Sequence, residues 1–302
     1  MLYAAIDIGS NAVRLLFANV FEKQGNTSIE KASLIRIPLQ LGKDVFKTKN
    51  INDTRTKKFI NTMKAFKLLI DVYAPVDYIA CATAAMREAE NKDEILRKVK
   101  SETGIDIHLI DGNLEAKIIR SAIISATPDS KSMNLLIDVG GGSTELSLER
   151  DNRLIDSKSF NLGTIRLLNK EYDKEIWNEI KNWLNPYKAY FGEINCLGTG
   201  GNINKYARLY GEVDMNTLRI SAFEIGYESL RKLSVKERAE KYGLRPDRAE
   251  VIVPAGKIYL EIMKHIQASS IFVPRLGLVD GLVLGLYEKN IFKSNKKKNK
   301  QT

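Results

Sequence analysis

Cysteine and histidine are scarce in this chain of 302 residues, with two of each. Two cysteines do not make a disulfide framework or a cysteine-rich metal centre. Cys81 and Cys196 lie in apolar stretches, YIACATAA and INCLGTGG, and are expected as reduced core residues. His108 and His265 are too few for a histidine-rich metal site, and a catalytic histidine is not expected. No run of about 18 uncharged apolar residues occurs, so no membrane span is expected. The opening LYAAIDIG has neither a basic segment ahead of an apolar one nor a cleavage site, and the expected location is cytoplasmic. The remaining composition, 44% apolar and 28% charged, suits a globular protein with room for two domains.

The net charge is +10, and five lysines of the closing KSNKKKNKQT supply half of it. A terminal lysine run is expected as a disordered, solvated tail. No aromatic residues interleave with it to stack on bases, so nucleic acid is not an expected partner. A moderately basic body favours a polyanionic substrate through steering.

The chain carries one pattern twice. AAIDIGSNAVRLLF at residues 4–17 recurs as LLIDVGGGSTELSL at residues 135–148, an offset of 131 that superposes Asp7 on Asp138 and Gly9 on Gly140. Each copy is an apolar β-rich run ending in Asp, a small-residue turn, and a second β-rich run. The expected structure is a β-hairpin whose turn presents backbone N–H groups beside a carboxylate. Phosphate oxygens can approach N–H groups flanked by small residues, and the carboxylate can hold the divalent cation that accompanies phosphate. Gly9, Ser10 and Asn11 in one turn, and Gly140, Gly141, Gly142 and Ser143 in the other, are the candidate phosphate cradle. Gly141 and Gly142 are expected to adopt conformations other residues avoid, aiming successive N–H groups inward. Asp7 and Asp138 are the candidate metal ligands, for Mg²⁺ or Mn²⁺.

Between these hairpins strand and helix signals alternate. Strands are expected at Leu2–Asp7, Val13–Val20, Ile29–Pro38, Val76–Ala82 and Asp106–Ile110, and helices at Thr54–Tyr73, Asp93–Thr103 and Leu114–Ala126. Thr127–Lys131, polar and containing Pro128, is expected to divide a first domain (1–126) from a second (127–302). In the latter, strands are expected at Leu154–Asn161, Ile194–Leu197 and Ile271–Pro274. Helices are expected at Lys174–Lys188, Asn202–Tyr210, Ala222–Lys232, Val235–Tyr242, Arg248–Ile266 and Val279–Asn290. Trp177 and Trp183 are read as core. Two halves of this kind make an α/β fold of two lobes with a ligand cleft between them, closing on substrate about the 127–131 segment.

The motifs together resemble the exopolyphosphatase / guanosine pentaphosphate phosphohydrolase family, within the actin–hexokinase–heat-shock-protein ATPase superfamily. AIDIGSNAVRLL and LIDVGGGSTEL resemble its two phosphate loops, and CATAAMREAEN, GNLEAKI, LGTIRLL, LGTGGNI and RAEVIVPAG follow in the family's order. The resemblance spans nearly the whole chain to about Asn290. It implies two actin-like (ribonuclease H-like) α/β domains and a Mg²⁺- or Mn²⁺-dependent hydrolase. Its substrate would be inorganic polyphosphate, guanosine pentaphosphate (pppGpp), or both. It places Glu115 on the family's catalytic base and Glu145 on an acid near the active site; read alone, Glu115 is an ordinary acid in a first helical turn. Arg87 is a candidate for forked phosphate binding, with a salt bridge to Glu88 or Glu90 as its alternative. Arg14 and Arg166 are weaker candidates. The Gly198, Gly200 and Gly201 turn resembles the adenosine site of related ATPases. Departures fall at Leu114, Lys117, Val279 and Asp280, where the family has an acid, Arg, Arg and Glu. The long C-terminal helical extension of larger members, which can contribute to dimerisation, is not evident; the sequence leaves a homodimer open.

Three other functions compete with hydrolysis. An ATP-dependent kinase of the same superfamily would need an acceptor-substrate base that is not evident. A regulator that binds guanosine polyphosphates without cleaving them finds room in the Val279-Asp280 departure. An actin-like filament protein would need a polymerisation insertion, and none is evident.

Overall fold

The structure, a computed structural model, describes residues 1–23, 26–124, 131–212 and 216–298. The chain forms two compact units. One comprises Met1–Ser125 with Gly277–Thr302, the other Ala126–Leu276. Most of the expected dividing segment, Thr127–Ser130, lies outside the described residues.

The first unit opens with β1 (Leu2–Ile8), β2 (Val13–Lys23) and β3 (Asn26–Ile37), followed by α1 (Gly42–Thr48) and α2 (Asp53–Tyr73). Then come β4 (Tyr78–Ala82), α3 (Ala84–Glu88), α4 (Lys92–Thr103), β5 (Ile107–Leu109) and α5 (Gly112–Ile124). The sheet order is β3-β2-β1-β4-β5. The first three strands are antiparallel and the last two join parallel to β1 through helical crossovers. Tyr3 to Asp7 of β1 are all buried, which is why this strand reads as a continuous apolar run and does not alternate. In α2, Asn52 caps the N-terminus by accepting from the Arg55 N–H at 2.8 Å. Phe59, Met63, Phe66 and Ile70 of α2 are buried at helical spacing. Each such side chain contributes roughly 1.5–3 kcal/mol on burial.

The second unit repeats the plan. Its elements are β6 (Met133–Val139), β7 (Thr144–Arg150), β8 (Arg153–Phe160), α6 (Thr164–Asn169), α7 (Ile176–Phe191), β9 (Ile194–Thr199) and α8 (Gly201–Tyr210). They continue with β10 (Thr217–Arg219), α9 (Ile220–Arg231), α10 (Val235–Tyr242), α11 (Pro246–His265) and β11 (Ser270–Phe272). The order β10-β11-β9-β6-β7-β8 contains the same five-strand arrangement with β10 added at one edge. Met133, Leu135, Ile137 and Val139 of β6 join one buried cluster with Leu146, Leu148 and the apolar faces of α7, α8 and α11. Trp183 is structural: its indole N–H donates to Asp156 at 3.0 Å, and Tyr187 donates to the same carboxylate at 2.6 Å. Both units are actin-like α/β domains, as the motif order implied.

Expected elements other than the last helix are present within a few residues of their predicted ends. The short α1, α3, α6 and β10 were not anticipated, because three to seven residues carry too little periodicity to read. The last helix, α12 (Leu278–Lys298), corrects the expected division of the chain. It was assigned to the second domain but packs in the first unit, against α5, β1, β2 and β4. The Tyr287 ring meets Tyr3 edge-on at 6.1 Å, and Asn290 donates to Asp77 at 3.4 Å. The apolar run at the start of α12 supplies the burial that decides this. The backbone of α12 continues helical to Lys298, where a disordered lysine tail was expected; lysine is a good helix former. Among the described residues, no helix is long and apolar enough to cross a membrane.

Candidate active site

The second hairpin turns over Gly140–Ser143. Val139 pairs with Thr144, and the Gly140 N–H closes the turn on the Ser143 carbonyl at 2.9 Å. The three preceding carbonyls of this turn are all taken from one side. Thr164 N–H donates to Gly140 O at 3.0 Å, Ile165 N–H to Gly141 O at 2.9 Å, and Arg166 Nε to Gly142 O at 2.7 Å. In a trans peptide the C=O and the following N–H point in opposite directions. The N–H groups of Gly141, Gly142 and Ser143 therefore point away from α6, side by side, as an anion-binding nest requires.

The contact with α6 also corrects the expected role of the glycines. Neither Gly141 nor Gly142 has a positive φ. What this turn requires is space: a Cβ on Gly163 would lie 2.4 Å from the carbonyl carbon and oxygen of Gly141. Arg166 is a brace of the turn's backbone and is itself buried.

At the foot of this turn Asp138 on β6 faces Glu145 on β7 in register. A carboxylate oxygen of each lies within 4.8 Å of one on the other. Thr199 Oγ1 donates to Asp138 Oδ1 at 2.6 Å, and Ser159 Oγ donates to Glu145 Oε1 at 2.8 Å. Hydroxyl donors orient a carboxylate and leave its charge in place. Two adjacent carboxylates repel unless a cation or a proton joins them, and all-oxygen donors of this kind suit a hard divalent ion such as Mg²⁺ or Mn²⁺. This donor set fits the ion that the resemblance implies. Sequence reasoning missed Thr199, although it sits inside the GTGG block singled out there, and it missed Ser159.

The first hairpin has the same turn. Gly9 N–H donates to Ala12 O at 3.1 Å, and Ile8 pairs with Val13. Its carbonyls are also held from one side, Ser10 O by the Gly42 N–H and Asn11 O by the Gln40 N–H, both at 2.9 Å. The N–H groups of Asn11 and Ala12 face the other way. Ser10 is buried, and its Oγ accepts from the Ala85 N–H at 3.2 Å, so this hydroxyl ties the loop to α3. The carboxylates differ between the copies. Asp7 pairs across the ladder with Arg14, which donates to its Oδ2 at 2.5 Å. Arg14 occupies in the first hairpin the place of Glu145 in the second. The first hairpin thus carries an ion pair where the second carries two acids.

Glu115 lies in the first turn of α5 and is buried. Asp111 starts that helix, accepting from Leu114 N–H through its side chain at 2.8 Å and from Glu115 N–H through its carbonyl at 2.9 Å. Cys81, opposite Asp7 on β4, feels both acids: burial first, then Asp7 and Glu115, push its thiol up to about 12. The first unit therefore gathers Asp7, the Gly9–Asn11 turn and Glu115 at one end of its sheet. Arg87 has a backbone partner: its Nη1 donates to Ile110 O at 2.6 Å, directly ahead of the Asp111 cap. Asp280, one of the departures, is buried and structural, its Oδ2 accepting from Lys31 at 3.2 Å and from the Gly277 N–H at 2.9 Å.

A strand-end acid beside a turn with N–H groups facing one way is thus present once in each of the two units. Residues 21–290 match the Ppx/GppA phosphatase family, and the chain belongs to that family. It is 28% identical over 306 residues to a bifunctional 3-dehydroquinate synthase/phosphatase of Fusobacterium nucleatum, covering 94% of this chain and 46% of that protein. The chain thus spans about half the length of that relative. It is 25% identical to a putative exopolyphosphatase of Haemophilus influenzae, covering 95% of this chain and 91% of that one. In fold it is similar to the crystal structure of an exopolyphosphatase from Cytophaga hutchinsonii, with a TM-score of 0.83 at 22% identity over 96% of this chain and 98% of that one. The crystal structure of the Aquifex aeolicus member of the Ppx/GppA family matches with a TM-score of 0.73 at 25% identity, covering 96% and 99%.

Proposed function

We propose that the chain is a metal-dependent phosphohydrolase that releases the terminal phosphate of inorganic polyphosphate, of pppGpp, or of both. The observation that carries this reading is the second turn, whose three carbonyls are bound by α6 so that three successive N–H groups face the opposite way beside the Asp138–Glu145 pair. The N–H groups of Gly141, Gly142 and Ser143 bind phosphate oxygens, and the first turn, with Gly9, Ser10 and Asn11, is a phosphate cradle of the same kind in the first unit. Asp138 and Glu145 hold the divalent ion. That ion, when bound, neutralises the dense negative charge that repels an attacking water. Asp7, whose Oδ2 is taken by Arg14, is a weaker candidate ligand in its own unit.

Glu115 orients the attacking water and accepts its proton. Hydrolysis splits the terminal P–O–P bond: the water oxygen bonds to the terminal phosphorus, the electron pair leaves with the shortened chain, and Glu115 takes one proton. Arg87 holds the turn ahead of Glu115, and its forked donors remain a proposed phosphate contact. A cytoplasmic location belongs to this reading as well.

Two measurements check it. Side-by-side steady-state phosphate release from polyphosphate and from pppGpp, with Mg²⁺ and with Mn²⁺, is expected to show metal-dependent turnover of at least one. Tight pppGpp binding without release from either substrate would instead make the chain a binding regulator. Gly163→Ala is expected to push the turn off α6, costing about 1–3 kcal/mol of stability as overpacking does and raising KM for the phosphate chain. A wild-type KM in a destabilised Gly163→Ala protein would detach phosphate binding from this turn.

A further inference from the structure

Tyr259 lies on α11, far along the chain from the second hairpin, and no step above uses it. Its side chain is fully buried. The hydroxyl accepts from the Val139 N–H at 3.3 Å and donates to the Thr199 carbonyl. Burial above all, with Asp138 adding to it, holds the phenol well above its ordinary range, so it stays a donor. Val139 and Thr199 end the neighbouring parallel strands β6 and β9, whose register pairs Thr199 with Asp138. Thr199 in turn donates its own hydroxyl to Asp138 Oδ1. A continuous path of hydrogen bonds therefore runs from the Tyr259 hydroxyl through Thr199 to the Asp138 carboxylate.

The next residue leaves this path little slack. Gly200 has φ +105°, and a Cβ there would lie 3.2 Å from Asp138 Oδ1 and 3.7 Å from the Tyr259 hydroxyl. The ring itself packs against Phe223 at 6.4 Å, a contact that phenylalanine would reproduce. The polar tip alone distinguishes the two residues at this place, and it is spent entirely on the strand ends that carry the acid.

We propose that Tyr259 is a positioning residue for the metal site: by pinning the ends of β6 and β9 it sets Thr199, and through Thr199 the bearing of the Asp138 carboxylate toward a divalent ion. This rests on the reading of Asp138 and Glu145 as the metal ligands. Partners behind the ligands of a metal commonly govern affinity by 10–100-fold.

The test is titration of Mn²⁺ into the full chain, followed by the loss of the free-ion electron paramagnetic resonance signal. The proteins compared are wild type, Tyr259→Phe, Thr199→Val, the double variant and Asp138→Asn, with a melting temperature for each. Asp138→Asn is expected to lose the tight site, which checks the underlying reading separately. Tyr259→Phe and Thr199→Val are each expected to weaken Mn²⁺ binding by about 10–100-fold. The double variant is expected to fall well short of the product of the two, because both act along one path.

Wild-type Mn²⁺ affinity in folded Tyr259→Phe overturns the proposal, whatever its melting temperature, and so does strict additivity in the double variant. Should Tyr259→Phe not fold, Thr199→Val carries the test, and wild-type affinity there overturns the proposal. If Asp138→Asn itself binds Mn²⁺ normally, the metal reading falls and the positioning role with it. If Asp138→Asn loses binding while Tyr259→Phe does not, only the positioning role falls.

Discussion

Asp138→Asn is expected to cut phosphate release by about 10²–10³-fold, the scale of losing one preorganised electrostatic contact in a catalytic site. The substitution is nearly isosteric. Its amide oxygen can still accept from Thr199 Oγ1, which holds the native side chain at 2.6 Å. The fold should therefore survive, with the melting temperature close to that of the wild type. What changes is charge: the pair Asp138–Glu145 loses one of its two negative groups, and a hard divalent ion loses its best reason to bind there. Excess chelator should produce the same loss in the wild type, and added Mg²⁺ or Mn²⁺ should restore it. Asp7→Asn offers a contrast, since Asp7 already shares its charge with Arg14. Its loss should be smaller. Full turnover of Asp138→Asn, or of the wild type in excess chelator, would contradict the assignment.

Glu115→Gln is expected to lower turnover by about 10²–10⁴-fold, the range that loss of a general base usually gives. Glutamine keeps the size and much of the hydrogen bonding but cannot take the proton. Substrate binding should persist or tighten, because a negative charge beside a polyanion is removed. An acid that merely favours the start of α5 predicts a different pattern, a stability loss of about 1 kcal/mol or less with nearly normal turnover. Melting temperature, kcat and KM of this one variant separate the two. A folded Glu115→Gln protein with near wild-type kcat would remove the base from the mechanism.

Much of the geometry of this candidate site was legible in the sequence because the chain carries the hairpin twice. Asp7 and Asp138, seven residues before Arg14 and Glu145, prove to be their cross-strand partners, since both hairpins share one turn length. The difference between the copies, an ion pair in one and an acid pair in the other, was present in that spacing but went unread. The helix α2 was legible because Phe59, Met63, Phe66 and Ile70 recur at helical spacing within its 21 residues.

Other features had no local signal. The routing of three turn carbonyls onto α6 joins segments more than 20 residues apart, two of them through backbone N–H groups that any sequence carries and the third through the Arg166 side chain. The glycines of that turn invited an argument from backbone freedom, whereas the structure uses the close approach of Gly163. Tyr259 looks like one more apolar residue in a core helix, and only the fold brings its hydroxyl to the strand ends. The packing of α12 in the first unit is likewise a tertiary choice that its own pattern does not reveal.

In the proposed mechanism the acid pair of the second hairpin holds a divalent ion beside a phosphate bound by the turn above it. Anomalous diffraction from crystals grown with Mn²⁺ and inorganic phosphate tests this most directly. A manganese peak coordinated by the carboxylates of Asp138 and Glu145 is expected, with a phosphate on the N–H groups of Gly141, Gly142 and Ser143. A manganese peak elsewhere, or a phosphate that leaves those N–H groups untouched, would contradict it.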